Sequence, residues 1–161
     1  MTIRLALLVV GAAVLGIAAD ALGADPPVRV EDPWVADAPP VARVRAGYLT
    51  IENLSGSEQV LLGAQSPLFD RVEIHRTEVR DGIARMTAVE RLPIPPGQKV
   101  ALEPGGYHLM LLEPRAPLTS GGVVPITLEW AGGQRVEVQA PVRSPTDSQA
   151  PPGHDHSHHQ H

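Results

Sequence analysis

Short runs of alternating apolar and polar residues follow one another between residues 28 and 142. Each run is about as long as one β-strand, and glycine, proline and other turn-forming residues separate the runs. Apolar residues at a helical spacing are scarce in this region. The clearest strand candidates are RAGYLTIEN, EQVLLGAQ, RVEIHRTEV, GIARMTAVE, QKVALEP, YHLMLLEP, VVPITLEW and QRVEVQAPV. The pattern predicts an all-β domain, either a β-sandwich or a barrel.

Two glycine pairs mark predicted turns. Gly105-Gly106 precedes the run that begins at Tyr107, and Gly132-Gly133 separates the last two strand candidates. Glycine adopts positive φ without a steric penalty, so we expect both pairs to close hairpins. The last two strand candidates should then form an antiparallel pair.

The alternation assigns each side chain to one face of its strand, because successive residues of a strand point to opposite faces. In RVEIHRT, Val72 and Ile74 mark the core face and place Glu73 and His75 on the outer face. We expect Glu73 to be an ordinary solvated strand residue at that position.

Three further residues fall on outer faces. In YHLMLL the leucines mark the core face, which places His108 and Met110 outward. Met86 alternates with two alanines and is out of phase with Ile83, so we expect it to face away from the larger apolar side chains. Neighbouring strands could thus bring these three residues and His75 to one exposed patch.

The start of the chain differs from this domain. Residues 1–24 are typical of a secretory signal peptide, since Arg4 is followed by an apolar run and by small residues that offer cleavage sites between residues 21 and 24. The apolar run is shorter than the about 20 residues of a membrane span, so an uncleaved membrane anchor is the less favoured alternative. We therefore expect a soluble, exported protein with a mature domain over residues 25–142.

The end of the chain, residues 143–161, is polar and rich in proline and histidine. Such a segment cannot offset the entropy lost on ordering, so we expect it to be disordered. It holds five of the seven histidines of the chain, namely His154, His156, His158, His159 and His161. Nitrogen and oxygen donors of this kind suit Cu(II), and a passive metal-scavenging tail is the alternative. An artificial tag is less favoured, because Asp155, Ser157 and Gln160 are interspersed among the histidines.

Composition and charge exclude several kinds of function. The 161 residues fit one domain with appendages. The chain contains no cysteine, which excludes blue copper, iron–sulfur and thiolate zinc sites, disulfide bonds and a lipidated cysteine. The formal net charge is −5 and the sequence has no basic run, which argues against nucleic acid as a partner.

Soft metal ligands are few once the tail and the initiator methionine are set aside. The remaining histidines and methionines are His75, Met86, His108 and Met110. Two imidazoles and two thioethers form a neutral, soft donor set, and soft sulfur ligands favour Cu(I). Reduced copper is therefore the best match, although imidazole also accepts zinc and nickel.

The order and spacing of these four residues resemble a family signature. The pattern His75-x10-Met86-x21-His108-x-Met110 is similar to the H-x10-M-x21-H-x-M motif of PCuA(C)-type periplasmic copper chaperones, a cupredoxin-like family without the blue-copper cysteine. The similarity continues through EDPWVADAPP, AGYLTIEN, SPLFDRVEIHRT, LEPGGYHLMLLEPRAPL and VPITLEW. Four residues at three fixed spacings make a specific motif.

The resemblance implies a Cu(I) carrier and not an enzyme. It implies ligand roles for His75, Met86, His108 and Met110, and delivery of copper for the dinuclear centre of cytochrome c oxidase. Subunit II of that oxidase and a Sco-type thiol protein are the implied partners, and we expect the carrier to be a monomer that meets the membrane only through them. His-rich extensions occur in some members, and the extension here, residues 143–161, contains no methionine.

Two other functions fit the same residues. The donor set could serve copper storage or resistance, and the sequence does not separate storage from delivery. A metal-independent β-sandwich used for protein interaction is the second alternative, but it gives no reason for the fixed spacing. Copper enzymes match less well, because a histidine-brace oxygenase needs an N-terminal histidine and a copper–zinc dismutase needs more core histidines.

Overall fold

The computed structural model describes residues 27–144, and the predicted signal peptide and most of the tail lie outside this range. Within it no helix could cross a membrane. The described residues form ten β-strands, which in chain order are β1 Val28–Ala36, β2 Val44–Asn53, β3 Gln59–Gln65, β4 Phe69–Arg80, β5 Ile83–Ala88, β6 Leu92–Ile94, β7 Lys99–Leu102, β8 Tyr107–Pro114, β9 Val123–Trp130 and β10 Arg135–Arg143.

The strands form one sheet in the order β5-β4-β8-β7-β2-β1-β10-β9-β3-β6. A further pairing of β3 with β4, where Ala64 lies opposite Val72, closes eight of the strands into a barrel. The strands β5 and β6 extend the sheet beyond the closed ring. The predicted all-β, single-domain architecture is confirmed, and it is a barrel.

The first and last strands lie side by side. β1 pairs in parallel with β10, and Val35 lies opposite Val142. The backbone N–H of Asp37 donates to the carbonyl of Arg143 at 2.8 Å, and Nη1 of Arg143 donates to Oδ1 of Asp32 at 3.0 Å. Arg143 therefore belongs to the folded domain, one residue beyond the boundary that composition predicts.

Branched aliphatic side chains fill the barrel. Ile74 of β4 and both Leu109 and Leu111 of β8 are buried, as the alternation predicts. Gly47 of β2 lies opposite Leu109, and a Cβ at Gly47 would come within 2.9 Å of Cδ1 of Leu111. The missing side chain of Gly47 therefore lets the leucines of β8 pack closely against β2.

The two glycine pairs have different roles. Gly132-Gly133 closes the predicted hairpin of β9 and β10, with φ of 78° at Gly133. Gly105-Gly106 does not close a hairpin, because β7 and β8 both pair antiparallel with β2 and run in the same direction along it. Gly105 has φ of 82° in a local turn, where Gly106 N–H donates to the carbonyl of Glu103 at 3.0 Å. The prediction was wrong because a turn signal does not show which strand the next segment will pair with.

Candidate metal centre

Three adjacent strands carry the predicted ligands. His75 of β4 lies directly opposite His108 of β8. Met110 lies opposite Glu73, two residues before His75. Met86 of β5 lies opposite the residue two positions after His75. Because side chains change face with a period of two, one face of β5-β4-β8, opposite to the core leucines, carries all four predicted ligands: His75, Met86, His108 and Met110. We call it the ligand face.

The spacing on this face suits one metal ion. The imidazole centroids of His75 and His108 are 6.0 Å apart, and two rings at this separation can reach the same ion because a metal–nitrogen bond is about 2 Å long. Met86 and Met110 occupy the two diagonal positions next to His75. Diagonal neighbours in a sheet are about 7–8 Å apart, a distance that long side chains span.

Burial differs among the four residues. His108 is 7% exposed, the His75 side chain is 15% exposed, Met110 is half-buried and Met86 is 51% exposed. The four residues share the expected face, but the expectation that the patch is exposed is wrong for the two imidazoles, which are largely buried. The patch is accessible to solvent at Met86 and largely shielded from solvent at His108.

The strand that carries Met86 has no core face. All six residues of β5 are exposed, including Ile83, which we expected to mark the inward side. β5 lies at the edge of the sheet and pairs only with β4 among the described strands. The alternation in β5 therefore predicts the face of the sheet on which Met86 lies, but it does not predict how buried its side chain is.

Glu73 is not the plain solvated residue that the sequence predicts. Its Oε2 lies 2.9 Å from Nε2 of His75, and its Oε1 lies 3.4 Å from Nε of Arg71. Its place opposite Met110 puts it on the ligand face. The alternation correctly places Glu73 on the face of His75, but it does not predict the contact between the two side chains.

The ring nitrogens offer metal-binding positions. Nδ1 of His75 is buried and has no hydrogen-bond partner within residues 27–144. A buried polar atom without a partner is costly, and a metal ion would use its lone pair. In the same part of the chain no group of three His, Cys, Asp or Glu side chains could hold a metal. The thioethers of Met86 and Met110 are further donors on the same face, and the four residues together fit a soft ion.

The ligand face continues across β2 to β1. Ala46 lies opposite Met110, and Tyr48 follows on the same face of β2. The rings of Tyr48 and Trp34 contact each other with centroids 4.6 Å apart and planes inclined by 39°. Burial raises the pKa of the Tyr48 hydroxyl. An apolar aromatic pair thus borders the ligand face on the side away from Met86.

The predicted tail ligands are outside this geometry. His154, His156, His158, His159 and His161 lie beyond the described residues. Their binding of metal remains a prediction.

Sequence relatives match the described domain. Residues 28–142 match the family model described as "Putative lipoprotein LpqE-like". The "Putative lipoprotein Lxx21020" of Leifsonia xyli subsp. xyli is 30% identical over 117 residues, which cover 72% of this chain and 69% of that protein. The uncharacterized protein RP573 of Rickettsia prowazekii is 30% identical over 115 residues, 67% of this chain and 62% of that protein.

Solved structures share the fold. The copper-bound PCuAC domain from PmoF2 superposes with a TM-score of 0.63 at 22% identity, over 74% of this chain and 95% of that domain. The solution structure of Cu(I)-bound DR1885 from Deinococcus radiodurans gives a TM-score of 0.62 at 36% identity, over 80% of this chain and 87% of that protein. These similarities confirm the predicted cupredoxin-like fold. With the family match over residues 28–142, the chain belongs to the LpqE-like family and carries a PCuA(C)-type domain.

Proposed function

We propose that this protein is a copper carrier that binds Cu(I) through His75, Met86, His108 and Met110. One observation carries the proposal: the strand register brings residues from three adjacent strands to one face of the sheet. Core packing gives no reason for this, because that face is opposite to Leu109 and Leu111.

The donor chemistry selects the ion. Thioether sulfur is a soft ligand that stabilises Cu(I), and imidazole nitrogen binds copper in either oxidation state. Nδ1 of His75, which is buried and has no hydrogen-bond partner among the described residues, is consistent with a nitrogen that binds a metal ion. A related protein at 36% identity, DR1885, has a solution structure with Cu(I) bound, which supports the same cargo here.

The graded exposure supports transfer of the ion. A carrier must admit the ligands of a recipient before its own ligands leave, so part of its site has to be accessible. Met86 is exposed on an edge strand, whereas His108 is buried. We propose that exchange begins at Met86 while the imidazoles retain the ion, and that the protein acts as a carrier and not as an enzyme.

Two observations support a location outside the cytoplasm, one from the start of the chain and one from its relatives. The lipoprotein descriptions of the family and of Lxx21020 and the signal-like residues 1–24 support export to the periplasm. We propose delivery to the dinuclear copper centre of cytochrome c oxidase, with subunit II as recipient and a Sco-type thiol protein as a further partner.

Copper binding can be tested on the full chain and on a version that ends at Ser144. Under reducing conditions the shorter version should remove one Cu(I) per chain from a chromophoric Cu(I) chelator. X-ray absorption should then count two nitrogen and two sulfur ligands. No uptake by the shorter version would overturn the carrier and favour a metal-independent interaction domain.

Delivery is tested separately from binding. In a strain without this gene, oxidase activity at limiting copper should fall, and the wild-type gene should restore it while the gene with His108→Ala should not. Unchanged oxidase activity together with lower copper tolerance would replace delivery with storage or resistance.

We also infer that the tail captures Cu(II) and passes it to the core site after an external reductant has converted it to Cu(I). A row of residues paired across neighbouring strands leads from the end of β10 to the site. In order around the barrel the row is Val142, Val35, Gly47, Leu109 and Ile74, and Ile74 precedes His75 in sequence. Four strand spacings of about 4.8 Å separate the end of β10 from β4 around the barrel. The chain from Ser144 to His154 extends up to about 33 Å, so the first tail histidine can reach the site.

The tail hypothesis has its own measurement. The version that ends at Ser144 should lose Cu(II) uptake, keep the Cu(I) site, and load more slowly from Cu(II) plus ascorbate than the full chain, because the tether raises the local concentration of the ion. Equal loading rates would leave the tail as a passive metal binder.

A further inference from the structure

We propose that Glu73 is a positioning residue that determines which ring nitrogen of His75 binds copper. The inference rests on the proposed function, since copper is the ion that it concerns. It goes beyond the ligand set, because it assigns a role to a side chain that is not itself a ligand.

The argument starts from the proton on His75. Nε2 of His75 lies 2.9 Å from Oε2 of Glu73. An ionised carboxylate can only accept hydrogen bonds, so Nε2 of His75 carries the proton and donates it. A neutral imidazole has one N–H and one lone pair, which leaves the lone pair on Nδ1. This is the nitrogen that is buried without a partner in the described residues.

The opposite assignment holds for His108. Its Nδ1 lies 3.2 Å from the carbonyl oxygen of Gly106. A carbonyl also only accepts, so Nδ1 of His108 is the donor and its lone pair is on Nε2. The geometry therefore points to Nδ1 of His75 and Nε2 of His108 as the two nitrogen ligands.

Glu73 is itself held in place. Its second oxygen, Oε1, faces Nε of Arg71 at 3.4 Å, so its two oxygens have separate partners on the same strand. Glu73, His75 and Arg71 alternate with the core-facing residues of β4, which keeps them on the ligand face. Partners that orient a metal-binding histidine usually contribute about 10–100-fold to metal affinity.

Strand β4 also supplies a matched control. Glu78 has 34% side-chain exposure, close to the 39% of Glu73, and it forms ion pairs with Arg76 and Arg80. Its position in the alternation places it on the face opposite to His75. Replacing Glu78 removes the same kind of charge from the same strand without touching the ligand face.

The experiment compares Glu73→Ala, Glu73→Gln and Glu78→Ala in the full chain. Imidazole ¹⁵N shifts, assigned with His75→Gln and His108→Gln, report the tautomer of each ring in the metal-free and Cu(I)-loaded protein. Wild type should show a protonated Nε2 in His75 and a protonated Nδ1 in His108, and Cu(I) should shift the other nitrogen of each ring.

The variants should then separate positioning from folding. Glu73→Ala should give a mixture of His75 tautomers and about 10–100-fold weaker Cu(I) binding. Glu73→Gln should keep the wild-type tautomer, because the amide oxygen accepts the same hydrogen bond, and Glu78→Ala should change neither quantity. A protonated Nδ1 on His75 in wild type, or an unchanged tautomer and affinity in Glu73→Ala, would overturn the inference.

The two proposals fail in different ways. If wild type binds no Cu(I), the proposed function fails, and the metal-free spectra still show whether Glu73 sets the tautomer. If wild type binds Cu(I) and Glu73→Ala is indistinguishable from it, the role of Glu73 fails while the carrier function stands.

Discussion

Replacing Met86 should change the affinity for Cu(I) and leave the stability of the protein nearly unchanged. Its side chain is 51% exposed, and exposed substitutions usually change the free energy of unfolding by less than about 0.5 kcal/mol. Met86→Ala should therefore leave urea unfolding nearly unchanged. Cu(I) binding should weaken by more than the about 10–100-fold that outer-shell partners contribute, because one of the proposed sulfur ligands is lost.

The control for Met86→Ala is Val79→Ala. Val79 is 67% exposed and lies opposite Ala84, on the same face as Met86. It should affect neither unfolding nor chelator competition. A Met86→Ala protein that unfolds readily and binds Cu(I) normally would show that Met86 serves packing.

Tyr48 makes stability depend on alkaline pH. Burial raises the pKa of its hydroxyl above the ordinary 10.0 of an exposed tyrosine, so the folded protein keeps this proton at pH values where the unfolded chain has lost it. The free energy of unfolding contributed by Tyr48 is therefore fully present below pH 10 and decreases as the pH rises through the folded-state pKa. Tyr48→Phe should flatten this alkaline decrease in urea unfolding. An identical slope in wild type and Tyr48→Phe would show that the hydroxyl is not shielded by folding.

At the scale of strands, Gly47 links packing to the ligand face. A Cβ at Gly47 would come within 2.9 Å of Leu111 and 3.3 Å of Leu109. Gly47→Ala should therefore overpack the barrel, at a cost of about 1–3 kcal/mol in urea unfolding. Displacing β8 should also weaken Cu(I) binding, because β8 carries both His108 and Met110.

Gly63→Ala is the matched control for Gly47→Ala. Gly63 lies within β3, and the nearest atom to its added Cβ is 4.0 Å away. This variant should unfold like wild type and bind Cu(I) equally well. Equal stability of the two alanine variants would show that β8 has room to adjust.

Sequence alternation predicts most strands, and its failures have local causes. The candidate runs correspond to β2–β5 and β7–β10. β1 is not among them because a register shift between Glu31 and Trp34, with Asp32 at φ of 45°, interrupts its alternation. β6 is three residues long with Pro93 at its centre, and proline argues against a strand in sequence.

The sequence predicts the strand face on which each candidate ligand lies, but it does not predict the burial or the contacts of that residue. The faces of His75 and Met110 follow from a period of two, which is a local property of each strand. The burial of His108 and the contact between Glu73 and His75 depend on how neighbouring strands and side chains are arranged. Those arrangements involve residues distant in sequence, and alternation carries no information about them.

At the scale of the whole molecule, the parallel pairing of β1 with β10 has a consequence for biosynthesis. Val35 pairs with Val142, so the ring of strands stays open until nearly the entire domain has been made. Pairings between distant residues form slowly because a long loop must close first. A chain that crosses a membrane from its N-terminus would thus expose all four proposed ligand residues before the barrel that holds them has closed.

A version that ends at Ala131 mimics this incomplete chain. It keeps His75, Met86, His108 and Met110 but lacks β10. Its circular dichroism spectrum should be that of an unfolded chain, and it should bind Cu(I) no better than a short peptide. The version that ends at Ser144 should fold and bind. If both results hold, the proposed Cu(I) site forms only after β10 has joined the sheet, and an exported chain would bind copper only once this last strand has crossed the membrane.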